Sequence, residues 1–378
     1  MKRFFILAIL FISIVGCKKD EEGLVPPIDC GTSTKPEYKR TEFTLVTPKY
    51  FPPFPENTVL TREIVNLGRH LFYEKKLSGD GSLACAGCHN QSFAFSDNEK
   101  RFSEGIDGEV GDINAMVIFN LNWGNGFFWD GRSPRLEEQA IDPVINPVEM
   151  HNTWKVAINS LKGDTFYVNH FYEAFGIDDW DSSHATIAIA QFEKTLLSSE
   201  SRFDKAVDLV GGINGIPPRF NDPSEARGYR IFNTEVRRIS GAAPGGDCFH
   251  CHSSDNMLFT DNKFQNNGLD LSPDMGLGKV TGKSSDIGKF KTPTLRNIEK
   301  SGPYMHDGRF QTLEDIIEFY NSGVEGNSPN IAPIMSDGGA GIAGGLNLSA
   351  SEKADLLAFL KTLTDPGFLT NSELSDPN

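Results

Sequence analysis

The segments CAGCH (85–89) and CFHCH (248–252) each place two cysteines three positions apart and a histidine directly after the second cysteine. This C-x-x-C-H pattern is the attachment signature of c-type haem. Both thiols can add to the vinyl groups of one haem, while the adjacent histidine reaches the iron from the same turn. The sequence therefore predicts two covalently bound haem c groups. The predicted attachment residues are Cys85, Cys88 and His89 at the first site and Cys248, Cys251 and His252 at the second.

The stretches around the attachment segments occur twice in the chain. GRHLFYEKKLSGDGSLACAGCH (68–89) is similar to GYRIFNTEVRRISGAAPGGDCFHCH (228–252), and WDGRSPRLEE (129–138) is similar to HDGRFQTLED (306–315). Each copy is mostly helix and loop, with few strand patterns. We therefore predict a mainly α fold of two cytochrome c-like haem domains from an internal duplication. The predicted domains are 51–210 and 211–370, followed by a tail at 371–378.

The two predicted copies differ at positions where a duplicated enzyme would diverge. Trp129 of the first copy stands opposite His306 of the second, and Pro143 stands opposite Tyr320. The two haems are therefore expected to have different surroundings on the side away from their histidines, and different tasks.

The N-terminus predicts export and a lipid anchor. Residues 1–16 contain two basic residues and a short apolar run, which is typical of a signal peptide and too short for a membrane span. The end of this segment resembles a bacterial lipobox, so we expect Cys17 to become the lipidated first residue. The alternative is an ordinary signal peptide that contains a cysteine. Residues 17–50 are polar and dotted with proline, as a tether would be, so the predicted location is the cell envelope, facing the periplasm or the surface.

The formal net charge of the 378-residue chain is −15, and no basic patch stands out along it. A phosphate backbone would be repelled, so we expect no nucleic-acid partner. A cationic protein partner suits this charge better. The membrane would be reached through the lipid anchor only.

The chain resembles the bacterial di-haem cytochrome c peroxidase family, including the branch named for MauG. The resemblance covers most of residues 50–365 and rests on three stretches. They are PPFPENTVLTREIVNLGRHLFYEKKLSGDGSLACAGCH (52–89), FFWDGRSPRLEEQAIDPVINPVEM (127–150) and GKFKTPTLRNIEKSGPYMHDGRFQTLEDIIEFYNSG (288–323). It implies that the first domain carries the haem that reacts with peroxide and the second the haem that transfers electrons.

The resemblance also implies roles for individual residues. His89 and His252 would bind the two irons. Gln139 and Glu149 would face the open side of the first haem, and Trp129 would lie between the haems. A buried carboxylate with a raised pKa can move a proton between the peroxide oxygens, which suits Glu149, whereas Gln139 can orient the peroxide. Without the resemblance, Glu149 would be interpreted as a salt-bridging carboxylate, Gln139 as an exposed amide and Trp129 as a core aromatic.

The family also implies a calcium ion between the two domains. Asn114 and the backbone carbonyls of Ser301 and Pro303 fall at the corresponding positions. The family usually has threonine at the position of Ser301, a change that a carbonyl ligand would survive.

Many family members carry a histidine after the first attachment site that binds the first iron at rest and leaves when the other haem is reduced. Residues 90–128 of this chain contain no histidine, and Met116 is expected in the core. We therefore predict that the first haem is five-coordinate or water-bound at rest and needs no reductive activation. The alternative is that a distant histidine, such as His151, folds over the iron.

Three residues of the second copy compete for the sixth position of its haem. Met305 would raise the redox potential and His306 would lower it. Tyr320 lies at the family's distal-ligand position, where peroxidases usually have methionine and MauG-like members have tyrosine. A phenolate there would lower the potential and stabilise oxidised iron. Tyr320 also shares one face of a short helix capped by Thr312, so packing in the core is the alternative.

These features lead to three hypotheses about function. The favoured one is a peroxidase that reduces hydrogen peroxide at the first haem and takes electrons near the second from a small cytochrome c or cupredoxin. The second is a MauG-like oxidase that acts on a protein or organic substrate through a high-valent state of the two haems. The third is a cytochrome that only transfers electrons. A homodimer is left open.

Overall fold

The computed structural model describes residues 35–55, 59–97, 100–213, 215–236, 243–336, 342 and 345–378. The residues from Pro36 to Asn378 form one compact unit, and the predicted division near residue 211 stays a prediction. The predicted signal peptide and Cys17 lie outside the described residues, together with much of the predicted tether.

The chain is mainly helical, as predicted. The helices before residue 211 are α1 (Arg62–Phe72), α2 (Cys85–Cys88), α3 (Leu136–Gln139), α4 (Asp142–Ile145), α5 (Trp154–Lys162), α6 (Thr165–Phe175), α7 (Ser182–Glu193) and α8 (Arg202–Asp208). Those after it are α9 (Pro223–Phe232), α10 (Leu277–Thr281), α11 (Leu313–Glu318), α12 (Ala350–Lys361) and α13 (Pro366–Thr370). The strands are short and antiparallel: β1 (Glu42–Phe43) pairs with β2 (Leu60–Thr61), and β3 (Phe264–Gln265) pairs with β4 (Phe290–Lys291). None of the helices in the described ranges has the length and apolar character needed to cross a membrane.

The helix that carries Tyr320 begins and ends for local reasons. Thr312 caps α11, because its hydroxyl accepts a hydrogen bond from the Asp315 N–H over 3.1 Å. The Asp315 carboxylate accepts one in return from the Thr312 N–H, also over 3.1 Å, which completes a capping box. The end of α11 continues as a π-helical turn at Phe319–Gly323, which contains Tyr320. Such wide turns are uncommon and are frequent at functional sites.

Two helix pairs form the two main cores, and each pair crosses at a glycine. Helix α1 packs on α7, where a Cβ atom at Gly68 would lie 1.8 Å from Ala188 O. Helix α9 packs on α12, where a Cβ atom at Gly228 would lie 1.9 Å from Asp355 O. Any other residue would force the helices apart. Both crossings therefore depend on a missing side chain.

Two loops share one pattern of hydrogen bonds and are called here the first paired loop (residues 114–133) and the second paired loop (residues 291–310). Each contains a short antiparallel bridge, a tight turn and a glycine with positive φ, and each position of one matches a position of the other at a constant offset. The bridges are Phe127↔Ser133 and Tyr304↔Phe310, and the turn bonds are Gly131 N–H to Phe128 O, 3.2 Å, and Gly308 N–H to Met305 O, 3.1 Å.

The paired loops also bond to each other in a reciprocal way. The Asn114 N–H donates to His306 O over 2.8 Å, and the Lys291 N–H donates to Trp129 O over 2.9 Å. Asn114 matches Lys291 at the common offset, and Trp129 matches His306. The two loops therefore face each other as the halves of an approximate two-fold arrangement.

A pair of asparagines anchors the paired loops to the chain that follows α7 and α12. Asn120 and Asn297 both have positive φ, 55° and 56°, and each bonds two residues through its N–H and its side-chain oxygen. The partners are Leu196 O and Ser198 N–H for the first, and Leu363 O and Asp365 N–H for the second. Ser198 and Asp365 also meet, since the Ser198 hydroxyl donates to Asp365 Oδ2 over 3.2 Å.

The residues after α12 return to the first attachment segment. Phe368 of α13 packs on Phe95, with ring centroids 5.5 Å apart, and both side chains belong to one buried cluster that also includes Leu374. Arg69 of α1 donates to Ser375 O over 2.8 Å. The predicted tail is thus fixed to the core beside the first site.

Candidate active site

The first attachment segment presents its two thiols and its histidine together. Helix α2 spans Cys85 to Cys88, and the His89 N–H donates to Cys85 O over 3.0 Å. The His89 Nδ1 lies 3.0 Å from Phe95 O, and Phe95 is fully buried with φ 56°. A carbonyl can only accept, so Nδ1 carries the proton and the lone pair of Nε2 remains for iron.

The second attachment segment has the same arrangement. A 3₁₀ turn spans Cys248 to His250, and the His252 N–H donates to Cys248 O over 2.9 Å. The His252 Nδ1 lies 3.0 Å from Phe259 O, and Phe259 has φ 54°. Both sites therefore offer an imidazole whose Nε2 keeps its lone pair for iron.

A cavity lies beside the second attachment segment. Cys248, Cys251 and His252 border it, and its other walls are largely apolar. The apolar lining includes Phe232, Leu313, Ile317, Leu356 and Leu360. An apolar slot with two thiols and an imidazole at its edge fits a covalently bound haem, because the flat macrocycle is hydrophobic and its vinyl groups react with thiols.

Tyr320 and Met305 both reach this cavity. The Asn267 Nδ2 lies 3.4 Å from Tyr320 Oη and 3.4 Å from Met305 Sδ. Burial raises the pKa of Tyr320 to about 12, so the phenol keeps its proton at neutral pH unless a bound cation takes its oxygen. Met305 has φ 72° in the turn where the matching Phe128 of the first paired loop has φ 66°.

The ring of His306 is already engaged by protein groups. It stacks on Phe290 with centroids 3.6 Å apart and planes 8° from parallel. Its Nε2 lies 3.3 Å from Asp274 Oδ2, and burial lowers its pKa. Of the three predicted competitors for the sixth position, His306 is therefore the one whose ring is stacked and whose Nε2 already has a protein partner.

Trp129 lines the same cavity as the second attachment residues. Its indole Nε1–H donates to Asn114 O over 2.8 Å, and its backbone oxygen accepts from the Lys291 N–H. The ring and the backbone of Trp129 are thus both fixed by the paired loops.

Glu149 lies close to the first attachment segment. The Asn146 Nδ2 donates to Glu149 Oε1 over 2.7 Å, and burial raises the pKa of Glu149. Burial also raises the pKa of the Cys85 and Cys88 thiols, and the nearby Glu149 carboxylate adds to this effect. The site therefore combines a free imidazole Nε2, two thiols and an acid whose pKa lies closer to neutrality than usual.

Gln139 and His151, the other residues predicted near the first haem, are partly or largely exposed. Gln139 is the last residue of α3 and is half-buried. The His151 side chain is 56% exposed, and its Nδ1 pairs with the carboxylate of Asp107. This ion pair turns the imidazole of His151 to the loop around Asp107.

Known proteins are similar to this chain over most of its length. The family model described as di-haem cytochrome c peroxidase matches residues 62–209. The methylamine utilization protein MauG of Methylorubrum extorquens is 35% identical over 326 residues, which cover 85% of this chain and 84% of that protein. The chain belongs to the di-haem cytochrome c peroxidase family. Cytochrome c551 peroxidase of Nitrosomonas europaea, another relative, is 35% identical over 269 residues, with coverage of 70% of this chain and 73% of that protein.

Solved structures of di-haem proteins have the same fold. A MauG-like protein associated with microbial copper homeostasis superposes with a TM-score of 0.75 at 31% identity, covering 89% of this chain and 99% of that one. The di-haem peroxidase BthA from Burkholderia thailandensis superposes with a TM-score of 0.65 at 21% identity, covering 82% and 87%. The second likeness concerns the fold alone.

As a member of the di-haem cytochrome c peroxidase family, the protein is an oxidoreductase, as predicted. The family implies two haem c groups, a peroxide substrate and cytochrome electron donors. The hypothesis of a cytochrome that only transfers electrons is therefore dropped. The family contains both peroxidases and MauG proteins, so membership alone leaves the particular activity open.

The sequence analysis did not identify Glu193, a buried acid of this member of the di-haem cytochrome c peroxidase family. The side chain is 5% exposed, and its Oε2 has no hydrogen-bond partner among the described residues. Burial raises the pKa of Glu193 to about 8, and its charge affects the Cys85 thiol. A signal was present: Ala185, Ile189 and Glu193 are spaced by four and share one buried face of α7.

Proposed function

We propose that the protein reduces hydrogen peroxide to water with electrons from a small cytochrome c or cupredoxin. The observation that carries this proposal is the half-buried carboxyl of Glu149, with its raised pKa, beside the first attachment segment. Reduction of peroxide needs a group that takes a proton from one oxygen and returns it to the other, and a carboxyl with a raised pKa can do both near neutral pH. The first haem, when bound, supplies the iron and the reducing electrons for cleavage of the O–O bond.

The roles of the surrounding residues follow from their contacts. The Asn146 amide holds Glu149 Oε1 over 2.7 Å, which orients the carboxyl and leaves Oε2 to exchange the proton. Gln139 would orient the peroxide by donating from its amide. Trp129 would conduct electrons to the first site, since its indole is fixed by Asn114 O and lines the second cavity. Tyr320 would bind the second iron, with a donor protein docking nearby.

The protein is expected to work without reductive activation. Residues 90–128 contain no histidine, and the nearest candidate replacement, His151, is paired with Asp107. The fully oxidised holoprotein should therefore give a high-spin ferric signal in electron paramagnetic resonance and turn over peroxide with reduced cytochrome c from the first seconds. A wholly low-spin resting spectrum, with a lag that prior reduction removes, would contradict this.

A second candidate function is that of a MauG-like oxidase acting on a protein or organic substrate. Two observations favour it: the identity of 35% to a MauG protein over 85% of this chain, and the Tyr320 oxygen facing the second cavity. Steady-state turnover separates the candidates. Negligible peroxide reduction with cytochrome or cupredoxin donors, in a protein that still reacts with peroxide, favours the oxidase.

The identity of the sixth ligand has its own test. Tyr320→Met should raise the redox potential of the second haem, because a thioether favours ferrous iron more than a phenolate does. Tyr304→Phe is the matched control, since the Tyr304 hydroxyl donates to Ile298 O over 2.8 Å at the edge of the same cavity. An unchanged potential in Tyr320→Met would assign Tyr320 to the core instead.

We infer that the two parts of the chain arose by duplication, with bounds near 51–210 and 211–370. The support is the set of matched hydrogen bonds in the paired loops, the two helix crossings at glycine and the two histidine–phenylalanine contacts. Such a match over several independent contacts is expected for two copies of one module and is improbable for unrelated segments.

A calcium ion is proposed at Asn114, Ser301 and Pro303. In the described part of the chain no hydrogen bond ends on Ser301 O or Pro303 O, and the Asn114 Nδ2 donates to Arg101 O over 3.0 Å, which leaves Oδ1 as its free end. These oxygens suit a hard divalent cation. Bound there, calcium would tie the two paired loops together. Metal analysis of the purified holoprotein tests this directly.

The proposed location is the cell envelope, with Cys17 as a lipid anchor. The support is the lipobox-like sequence before Cys17. Mass spectrometry of the membrane fraction should find a lipidated N-terminus in the wild type, whereas Cys17→Ser should release unlipidated protein. A homodimer stays a prediction that light scattering on the soluble form would check.

A further inference from the structure

Lys291, at the end of β4, is a buried cation that the proposed reaction does not use. The residue is 8% exposed, and its Nζ donates to Asn125 O over 2.7 Å and to Gly126 O over 2.8 Å. Among the described residues no carboxylate forms an ion pair with it. A buried ammonium without a counter-charge costs several kcal/mol, and burial accordingly lowers the pKa of Lys291 to about 8.

The position of Lys291 in the paired loops suggests why the cation is there. Lys291 matches Asn114 at the offset that relates the two loops, and Gly126 matches Pro303. In one half, Asn114 donates to His306 O of the second paired loop, in which the carbonyls of Ser301 and Pro303 accept no hydrogen bond from the described residues. In the other half, the Lys291 ammonium binds the carbonyl of Gly126, which matches Pro303, and the carbonyl of the neighbouring Asn125, which matches Gly302.

We propose that the Lys291 ammonium is a built-in cation that fixes the loop carrying Trp129, at the place where the other half would take a calcium ion. The comparison with calcium rests on the proposed calcium site, whereas the fixing of the loop rests on the Lys291 contacts alone. Lys291 is thus a positioning residue that acts through Trp129.

The contacts of Lys291 fix both ends of a five-residue segment. Its ammonium holds the carbonyls of Asn125 and Gly126, and its backbone N–H holds Trp129 O over 2.9 Å. The ammonium also lies 5.7 Å from the ring centroid of Phe127, a contact that favours a cation over a neutral group. Since the indole of Trp129 is anchored separately on Asn114 O, the segment has little freedom left.

Substitutions at Lys291 test the proposal in the holoprotein. Lys291→Asn gives the second half the residue type of the first, so calcium bound per protein should rise from one ion to two. Without calcium, this variant should show an altered Trp129 spectrum by ultraviolet resonance Raman, and added calcium should restore it. Lys291→Met should show the same altered spectrum with no rescue by calcium, and Lys291→Arg should stay close to wild type.

The matched control is Lys289→Asn, two residues away, because Lys289 pairs with Asp286 over 3.1 Å instead of with the loop. It should keep the wild-type calcium content and Trp129 spectrum. An unchanged Trp129 spectrum in Lys291→Met with both haems attached would overturn the proposal. So would Lys291→Asn with an altered spectrum that calcium does not restore, while the wild type does bind calcium.

Failure of the calcium proposal can be told apart from failure of this one. If the wild type binds no calcium, the Asn114 site is wrong, and the comparison of Lys291→Met with Lys291→Arg still decides the role of Lys291. If Lys291→Asn does not accumulate as a folded protein, the comparison of Lys291→Met with Lys291→Arg still tests the proposal. Equal spectra for Met and Arg variants would show that the charge at Lys291 does not hold the loop.

Discussion

The two halves of the molecule have nearly the same backbone framework, but different side chains lie near their attachment sites. Each half crosses its helices at a glycine, directs the Nδ1 of its attachment histidine to a phenylalanine carbonyl, and anchors its paired loop on an asparagine with positive φ. The side chains that would surround each haem differ: Glu149 and Glu193 lie by the first, and Tyr320 by the second.

The buried acid Glu193 makes the difference clearest. Ala188 and Asp355 occupy the same place in the two glycine crossings, so Glu193, five residues after Ala188, corresponds to Leu360. Leu360 lines the second cavity. Where one half buries a leucine, the other buries a carboxyl. A backbone that tolerates both can assign proton chemistry to one half and electron storage to the other without changing its fold.

The largest expected effect concerns Glu149, which has no acidic counterpart in the second half. Glu149→Gln removes the proton carrier while keeping the bond from Asn146, so kcat/KM for peroxide should fall roughly 10²–10³-fold. Glu138→Gln is the control, because Glu138 is paired with Arg135 at the surface. Equal activity of the two variants would remove Glu149 from the mechanism.

The next effect concerns Glu193 and the pH dependence of stability. Its pKa is about 8 in the folded protein and 4.5 as a free group, so between these values the folded state holds a proton that the unfolded state has lost. The free energy of unfolding should therefore fall as pH rises from about 4.5 to about 8.

Glu193→Gln should abolish that slope and make the holoprotein about 3 kcal/mol more stable at pH 7, measured by denaturant unfolding across this pH range. At pH 4 the variant and the wild type should be alike. Glu373→Gln, at an exposed position, should follow the wild type. A wild-type curve without the slope would mean that Glu193 has a partner in the holoprotein.

The smallest effect tests the likeness of the halves. Gly68→Ala and Gly228→Ala should each cost about 2 kcal/mol, because each adds a Cβ less than 2 Å from a carbonyl oxygen of the facing helix. Gly111→Ala, where nothing lies within 4 Å of the added carbon, is the control. Thermal unfolding of the three variants measures this loss of stability. A large difference between the first two variants would mean that the two helix crossings contribute unequally to stability.

The parts of the site that could be predicted from the sequence are those formed by residues that are close together along the chain. Each attachment segment forms a compact turn with its histidine directly after it, as expected if two thiols and an imidazole must reach one haem. The mainly α fold is confirmed. Met305 lies in a turn that both paired loops share, with φ of 72° beside 66° at Phe128.

Contacts between distant segments could not be predicted in this way. Lys291 lies in a two-residue strand, and nothing in its neighbours indicates that Asn125 and Gly126 will meet its ammonium. Asn267 is joined to Tyr320 and Met305 only in the folded chain. Burial of a charge depends on what packs against it, which the local pattern does not contain.

The return of the chain after α12 has a consequence for folding during synthesis. Phe368 and Leu374 complete the buried cluster around Phe95, whose carbonyl orients His89. The first attachment segment therefore belongs to a core that is complete only when residues near 374 have been synthesised. The first half is synthesised first, but its core is completed last. A chain truncated after α12 would therefore contain both attachment motifs and an incomplete first site.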